Sequence, residues 1–111
     1  ALALGLEQER KGDIARAERH FRRGITQAPD DGRLHYGLAR ALYVRGQYAE
    51  ALAEVLRAER RVADSHLEVL RARILDQMGY ASPALAAYRH ALWLNPTLES
   101  VQADIERLGQ K

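Results

Sequence analysis

Apolar residues along this 111-residue chain recur every three or four positions, and runs of β-branched residues are few. This spacing puts apolar side chains on one face of an α-helix, because about 3.6 residues make one turn. Glycine and proline interrupt the pattern at regular intervals. The chain is therefore predicted to be all-α, with seven helices over residues 1–10, 14–27, 32–45, 47–62, 66–78, 83–95 and 98–108. Ser82 is predicted to cap the sixth helix, with Pro83 at its first position.

Small residues repeat along the chain at intervals of 34 and then 33 positions, and such a period indicates a repeat architecture. Three sets share this register: Gly12, Gly46 and Gly79; Ala17, Ala51 and Ala84; Gly24, Ala58 and Ala91. The glycines of the first set suit turns between paired helices, since glycine adopts positive φ freely. The other two sets leave room for close helix packing. Three helix pairs and a final helix are predicted.

The first repeat carries the residues that reveal a family pattern: Leu4, Gly5, Gly12, Ala17, Phe21, Gly24 and Pro29. This set resembles the tetratricopeptide repeat. The resemblance implies an α-solenoid of antiparallel helix pairs in a right-handed superhelix, forming a single domain. Its repeats are expected at about 1–31, 32–64 and 65–97, with a capping helix at 98–109, within a longer repeat protein. His35 replaces the usual tryptophan, Ala63 replaces a proline, and the third repeat is one residue short near Ser65.

Composition limits the functional classes further. Seventeen Lys and Arg against fifteen Asp and Glu give a formal charge of +2, far below the basic excess of most nucleic-acid binders. The absence of cysteine excludes thiol nucleophiles, thiolate metal sites and disulfides. No apolar run approaches the roughly 20 residues that cross a bilayer, so direct membrane insertion is not expected. The Ala- and Arg-rich composition suggests a bacterial source, with cytoplasm and periplasm both left open.

Catalytic chemistry has no recognisable motif in this chain. The four histidines include no pair at positions i and i+4, and no HExxH motif occurs. Each glycine already has a turn or packing role, so no phosphate-binding loop remains. We expect no catalytic residue, no metal and no cofactor. His35 is expected to fill a packing position, whereas His20 and His90 are expected on solvated surfaces.

The resemblance implies a ligand groove lined by the first helix of each pair. Transferred position by position, it selects the following residues for partner binding: Arg33, Tyr36, Arg40, Tyr43, His66, Val69 and Arg73. Aromatic and guanidinium groups together are typical of binding hot spots. Arg40 and Arg73 are expected to project from the fold without supporting it. The alternative is that the tyrosines only pack against neighbouring helices.

The same position-by-position comparison with the family excludes one of its subfamilies. Chaperone-binding repeats hold a peptide carboxylate with Lys, Asn and Arg, but the corresponding positions here are Leu2, Leu6, Gly37, His66 and Leu70. The carboxylate clamp is absent. Recognition of the acidic chaperone tail is therefore not expected.

These observations favour a noncatalytic interaction module that binds a partner peptide or helix. The resemblance further suggests a bacterial multiprotein assembly for secretion, pili, polysaccharide export or the envelope. Two alternatives remain: a regulatory or oligomerisation segment of a larger enzyme or membrane protein, and a binder of RNA or anionic polysaccharide. Apolar Leu2 and Leu6 also suggest weak self-association through the N-terminal repeat.

Overall fold

The computed structural model describes residues 1–60 and 64–109. Within these ranges it contains seven α-helices: α1 (Leu2–Arg10), α2 (Ile14–Gln27), α3 (Gly32–Val44), α4 (Tyr48–Glu59), α5 (Ser65–Gln77), α6 (Ala81–Leu94) and α7 (Gln102–Gly109). A short 3-10 turn, Glu99–Val101, precedes α7. The seven predicted helices are all present, and the predicted end of the fourth helix at residue 62 lies outside the described residues.

The chain divides into two compact units. The first unit spans Ala1–Val62 and the second spans Ala63–Lys111. In the first unit α1 packs on α2, α2 on α3 and α3 on α4, while α1 also touches α3 directly. In the second unit α5 packs on α6, and α6 packs on α7. Within each unit, helices that follow one another in sequence therefore pack against each other.

The three glycines of the turn set adopt positive φ: 84° at Gly12, 78° at Gly46 and 85° at Gly79. The residue after each glycine donates its backbone N–H to a carbonyl five positions back, as in the 2.9 Å bond from Asp13 to Gln8. This is the Schellman motif, in which glycine avoids the steric cost of a left-handed residue. The predicted role of these glycines as turns is confirmed.

Aspartate side chains cap three of the helices. Asp13 accepts the backbone N–H of Arg16, and Asp64 accepts that of His66 at 2.7 Å. The predicted cap at Ser82 is wrong, because α6 begins at Ala81 without a side-chain cap. Pro83 is its third residue and still causes no loss, since the first four helical N–H groups have no intrahelical acceptor.

Phe21 is the centre of the first unit's core and is fully buried. Its ring lies between Gly5 of α1 and Gly37 of α3. A Cβ atom built on Gly5 would lie 2.5 Å from Cε1 of Phe21, and one built on Gly37 would lie 2.6 Å from the same atom. Neither position has room for alanine without displacement of the ring or of a helix.

The core of the second unit is built around Tyr88, which is 1% exposed. Val101 in the 3-10 turn and Leu108 in α7 are also buried. Burial is the main cause that raises the pKa of the Tyr88 hydroxyl, and the negative charges of Asp104 and Asp76 raise it further. The buried hydroxyl donates weakly to Asp76 at 3.5 Å.

We predict that Gly37→Ala lowers the free energy of unfolding by about 1–3 kcal/mol, because the added methyl group overlaps the Phe21 ring. Urea unfolding followed by circular dichroism measures the change. Gly109→Ala is the matched control, since a Cβ atom there meets nothing within 4 Å. Equal stability of the two variants would contradict the packing described for Phe21.

Asp31 gives a pH-dependent prediction. It accepts the backbone N–H of Arg33 at 3.0 Å at the start of α3. The hydrogen bond from the Arg33 side chain is the largest cause that holds the pKa of the Asp31 carboxyl below its usual 3.8. A lowered pKa means that the ionised carboxylate stabilises the fold above about pH 4, and that this contribution is lost as the pH falls further. Asp31→Asn keeps a capping side chain but cannot titrate.

We therefore expect the wild type to lose more stability than Asp31→Asn between pH 5 and pH 3 (roughly the range over which the carboxyl titrates in the unfolded chain). Urea unfolding of both proteins across that range measures the difference. Parallel stability profiles would show that the Asp31 carboxylate does not contribute to the acid sensitivity.

Candidate functional site

One surface of the first unit is formed by α1 and α3 in the same register of the repeat. We call it the α1–α3 face, and it consists of Leu2, Leu6, Glu9 and Arg10 from α1 and Tyr36, Arg40, Tyr43 and Val44 from α3. Each α3 residue lies 34 positions after its α1 counterpart. Leu6 is 42% exposed and Val44 is 62% exposed. The face therefore combines accessible aliphatic surface with charged and aromatic groups.

Arg40 connects the two helices of this face. Its Nε donates to Oε2 of Glu9 at 3.0 Å, and its Nη2 donates to Oε1 at 2.7 Å. The two side chains are 32% and 26% exposed. A two-bond pair of this kind fixes the orientation of the guanidinium plane. The expectation that Arg40 projects from the fold without supporting it is wrong, because this pair bridges α1 and α3.

Tyr36 contacts the same guanidinium from another direction. Cζ of Arg40 lies 4.6 Å from the centroid of the Tyr36 ring, one helical turn away on α3. A cation over an aromatic face is attracted by the ring quadrupole. Arg40 is thus held by a carboxylate along one edge and by a ring over its face. Sequence reasoning selected Tyr36 and Arg40 for partner binding but did not identify the contact of Arg40 with Glu9.

Tyr43 has a different neighbour. Its ring centroid lies 5.8 Å from that of Tyr48, in the first turn of α4, with 53° between the ring planes. Tilted aromatic pairs at this distance are favourable. Both rings are half-buried. For Tyr43, packing against a neighbouring helix accounts for part of the side chain, and the rest remains accessible on the α1–α3 face.

Arg33 lies at the first turn of α3 and is bound to its own helix cap. Its side chain donates from Nε and Nη2 to Asp31, both at 3.1 Å, and is 72% exposed. The same hydrogen bonds raise the pKa of the Arg33 guanidinium. The Arg33 guanidinium is therefore accessible to solvent but already forms an ion pair with Asp31.

The remaining predicted positions belong to α5 in the second unit. His66 and Arg73 are exposed, so both are accessible to a partner. Val69 is only 6% exposed, so its side chain offers little surface for binding. Among the three α5 residues, the accessible groups are therefore an imidazole and a guanidinium.

The predicted self-association residues differ in exposure. Leu2 is half-buried, whereas Leu6 is exposed and lines a shallow depression of about 430 Å³ with Ala3, Glu7 and Arg10. Glu7 stands 34 positions before Ala41, which is fully buried between helices of the first unit. Glu7 thus places a carboxylate where the second repeat has a buried alanine, and this disfavours burial of the Glu7 side of α1 against another repeat. Self-association through Leu2 and Leu6 stays a prediction.

His35 forms a buried polar network that sequence reasoning missed. The ring is 4% exposed; its Nε2 donates to the carbonyl of Pro29 at 2.7 Å, and its Nδ1 lies 2.8 Å from Glu54. Glu54, which is 9% exposed, also accepts from Arg57. Both ring nitrogens are therefore occupied by structural partners. The prediction that His35 fills a packing position is confirmed. The signal in the sequence for its polar partner was Glu54, a charged residue next to Val55, which is buried.

A related arrangement occurs in the second unit. Glu68, which is 7% exposed, lies 2.9 Å from Nδ1 of His90. The His90 ring stacks on Trp93, with centroids 6.1 Å apart and 17° between planes. Glu68 and His90 border a cleft of about 230 Å³. His90 is exposed as predicted but is engaged on both sides, and Trp93 remains 77% exposed.

Residues 1–60 and 64–109 contain no group of three or more His, Asp and Glu side chains arranged to hold a metal ion. None of the described helices combines the length and the apolar character that crossing a membrane requires.

We predict that Glu9 and Arg40 are energetically coupled. A double-mutant cycle with Glu9→Gln and Arg40→Met should give a coupling free energy of about 1 kcal/mol, because the two-bond pair is half-buried. The exposed pair of Glu7 and Lys11, 3.5 Å apart on α1, is the matched control. Its cycle should give a coupling near zero. Additive effects at Glu9 and Arg40 would show that the pair does not hold α1 against α3.

A family model described as tetratricopeptide repeat matches residues 2–66, which is more than half of the chain. No curated protein sequence matches the chain. A Thermobaculum terrenum O-GlcNAc transferase mutant has a similar solved structure, with a TM-score of 0.90 and 22% identity over 96% of this chain and 21% of that one.

Two further structures are similar over nearly the whole chain. YrrB, a TPR protein with an unusual peptide-binding site, gives a TM-score of 0.85 and 16% identity, covering 94% of this chain and 54% of that one. The Yersinia enterocolitica type III secretion chaperone SycD, in complex with a peptide of the translocator YopD, gives 0.81 and 19%, covering 98% and 84%. The chain thus spans about a fifth of the transferase and about half of YrrB. The predicted fold class, an all-α solenoid of antiparallel helix pairs, is confirmed.

Proposed function

The chain belongs to the tetratricopeptide repeat family, and from this premise we propose that it is a noncatalytic interaction module whose α1–α3 face binds a peptide or helix of a partner protein. The observation that carries the proposal is the exposure of Leu6 and Val44 beside a fixed Arg40. Accessible aliphatic groups around an oriented guanidinium supply both contact area and directional hydrogen bonds.

Preorganisation of the face favours binding. Tyr36 and Glu9 hold Arg40 in one orientation before a partner arrives. Less side-chain entropy is then lost on association, because the guanidinium does not have to be ordered by the partner. In the second unit, exposed His66 and Arg73 of α5 are proposed as further contact positions.

The similar structures support a peptide as the partner class. YrrB is described by its peptide-binding site, and SycD was solved with a peptide of its translocator. We propose that the chain serves a bacterial multiprotein assembly of the secretion, pilus, polysaccharide-export or envelope type. The secretion chaperone among the similar structures supports this setting.

A second candidate is a regulatory or oligomerisation segment attached to an enzyme. The similarity to the Thermobaculum terrenum O-GlcNAc transferase favours it, because the matching region is 21% of that chain. The two candidates are compatible in chemistry, since a repeat attached to an enzyme can also recruit a partner peptide. They differ in what the rest of the parent protein does.

Selection of peptides against the full chain tests the proposed site. Random twelve-residue peptides displayed on phage are selected, synthesised and measured by fluorescence anisotropy. We expect Val44→Asp to weaken the selected peptides by about tenfold, because a carboxylate replaces apolar contact surface on the face. Leu56→Asp is the matched control, since Leu56 is a 47% exposed leucine on α4.

Peptides that lose affinity with Leu56→Asp but not with Val44→Asp would place the site off the α1–α3 face. Stronger binding of poly-uridine RNA or heparin than of any selected peptide would favour the anionic-ligand alternative.

A further inference from the structure

Arg40 retains hydrogen-bond donors that its intramolecular contacts do not use. Glu9 takes one N–H from Nε and one from Nη2, which together form the side edge of the guanidinium. A guanidinium has five N–H donors, so both hydrogens of Nη1 and one of Nη2 remain. Within residues 1–60 and 64–109 these donors have no hydrogen-bond acceptor. The end edge is therefore available to a second carboxylate.

The orientation of this edge is fixed by the two contacts described above. Glu9 holds the guanidinium in its plane, and the Tyr36 ring lies 4.6 Å from Cζ over one face. The Arg40 side chain is 32% exposed, so solvent reaches part of it. A fixed planar fork of donors suits a carboxylate, which accepts two parallel N–H bonds.

The charges on the α1–α3 face favour an anion. Arg10 follows Glu9 at the end of α1, is exposed, and forms no ion pair in the described part of the chain. The face thus carries two cations, Arg10 and Arg40, against the single carboxylate of Glu9. The remaining positive charge offsets the repulsion that Glu9 exerts on an incoming anion.

The surroundings of Arg40 favour a side-chain carboxylate over a chain terminus. Tyr36 lies one turn before Arg40 on α3 and Val44 lies one turn after it. Both positions are at least partly exposed, so contact surface continues in both directions from the guanidinium. A partner chain that continues past the carboxylate at both ends uses this surface, whereas a chain terminus uses only one side.

We propose that the end edge of Arg40 binds the carboxylate of an Asp or Glu side chain within the partner segment, with aliphatic residues on either side of it. This inference rests on the proposed function and specifies its partner class. Arg40 is the contact residue. Glu9 and Tyr36 are positioning residues, because they act on the partner through the guanidinium.

The test uses the full chain and three defined pentapeptides with acetylated N-termini. The first is LAEAL with an amidated C-terminus, the second is amidated LAQAL, and the third is LAQAL with a free carboxyl terminus. Chemical shifts of the Arg40 Nε–H and of the Val44 and Leu6 methyl groups are followed by NMR during titration. The three peptides separate a side-chain carboxylate, no carboxylate and a terminal carboxylate.

We expect LAEAL to shift the Arg40 Nε–H saturably and to bind about tenfold more tightly than amidated LAQAL, as charge-assisted hydrogen bonds imply. Arg40→Lys should remove the difference between the two peptides, because an ammonium cannot present the planar fork. Arg23→Lys is the matched control, since Arg23 is an exposed arginine on α2, outside the α1–α3 face. Circular dichroism verifies that both variants fold.

Three results would overturn the inference. Equal affinities of LAEAL and amidated LAQAL, with shifts at Val44, would leave peptide binding at the face intact but refute carboxylate recognition. Tighter binding of the free-carboxyl peptide than of LAEAL would assign the edge to a chain terminus. No shift at the face with any of the peptides would count against both the inference and the proposed function. The comparison of peptides on the wild type holds even if Arg40→Lys fails to fold.

Discussion

The structure of the first unit depends on the burial of one aromatic ring between two glycines. Phe21 is fully buried, and Gly5 and Gly37 provide the space that a methyl group would otherwise fill. Because the ring reaches the backbone of both α1 and α3, these helices meet directly. A side chain at either glycine would overlap the ring, so the spacing of the two helices depends on both glycines.

That helix spacing places the groups of the candidate site. Glu9 and Arg40 lie on different helices, 31 positions apart in sequence, yet their side chains form a two-bond pair at 2.7 and 3.0 Å. A pair with this geometry requires α1 and α3 to stay close. The Tyr36 ring then restricts the guanidinium from a second direction. Packing in the core thus determines the orientation of a charged group on the surface.

The sequence predicted the fold well because the repeat determines it locally. Turn glycines such as Gly46 and buried alanines such as Ala51 recur in fixed register, and each acts within its own helix pair. The site was less accessible to the same reasoning. Register identified Tyr36 and Arg40, but the contact of Arg40 with Glu9 depends on the packing of separate helices. The partner of His35 was hidden for the same reason, since Glu54 lies 19 positions away.

If the fit of Phe21 between two glycines positions Arg40, hydrogen exchange of the Arg40 Nε–H must depend on those glycines. This hydrogen is bound to Glu9, so its exchange reports whether α1 and α3 remain close. We expect this hydrogen to exchange more slowly in the wild type than the Nε–H of exposed Arg23, and we expect Gly5→Ala to remove the difference. Unchanged slow exchange in a folded Gly5→Ala protein would contradict the claim.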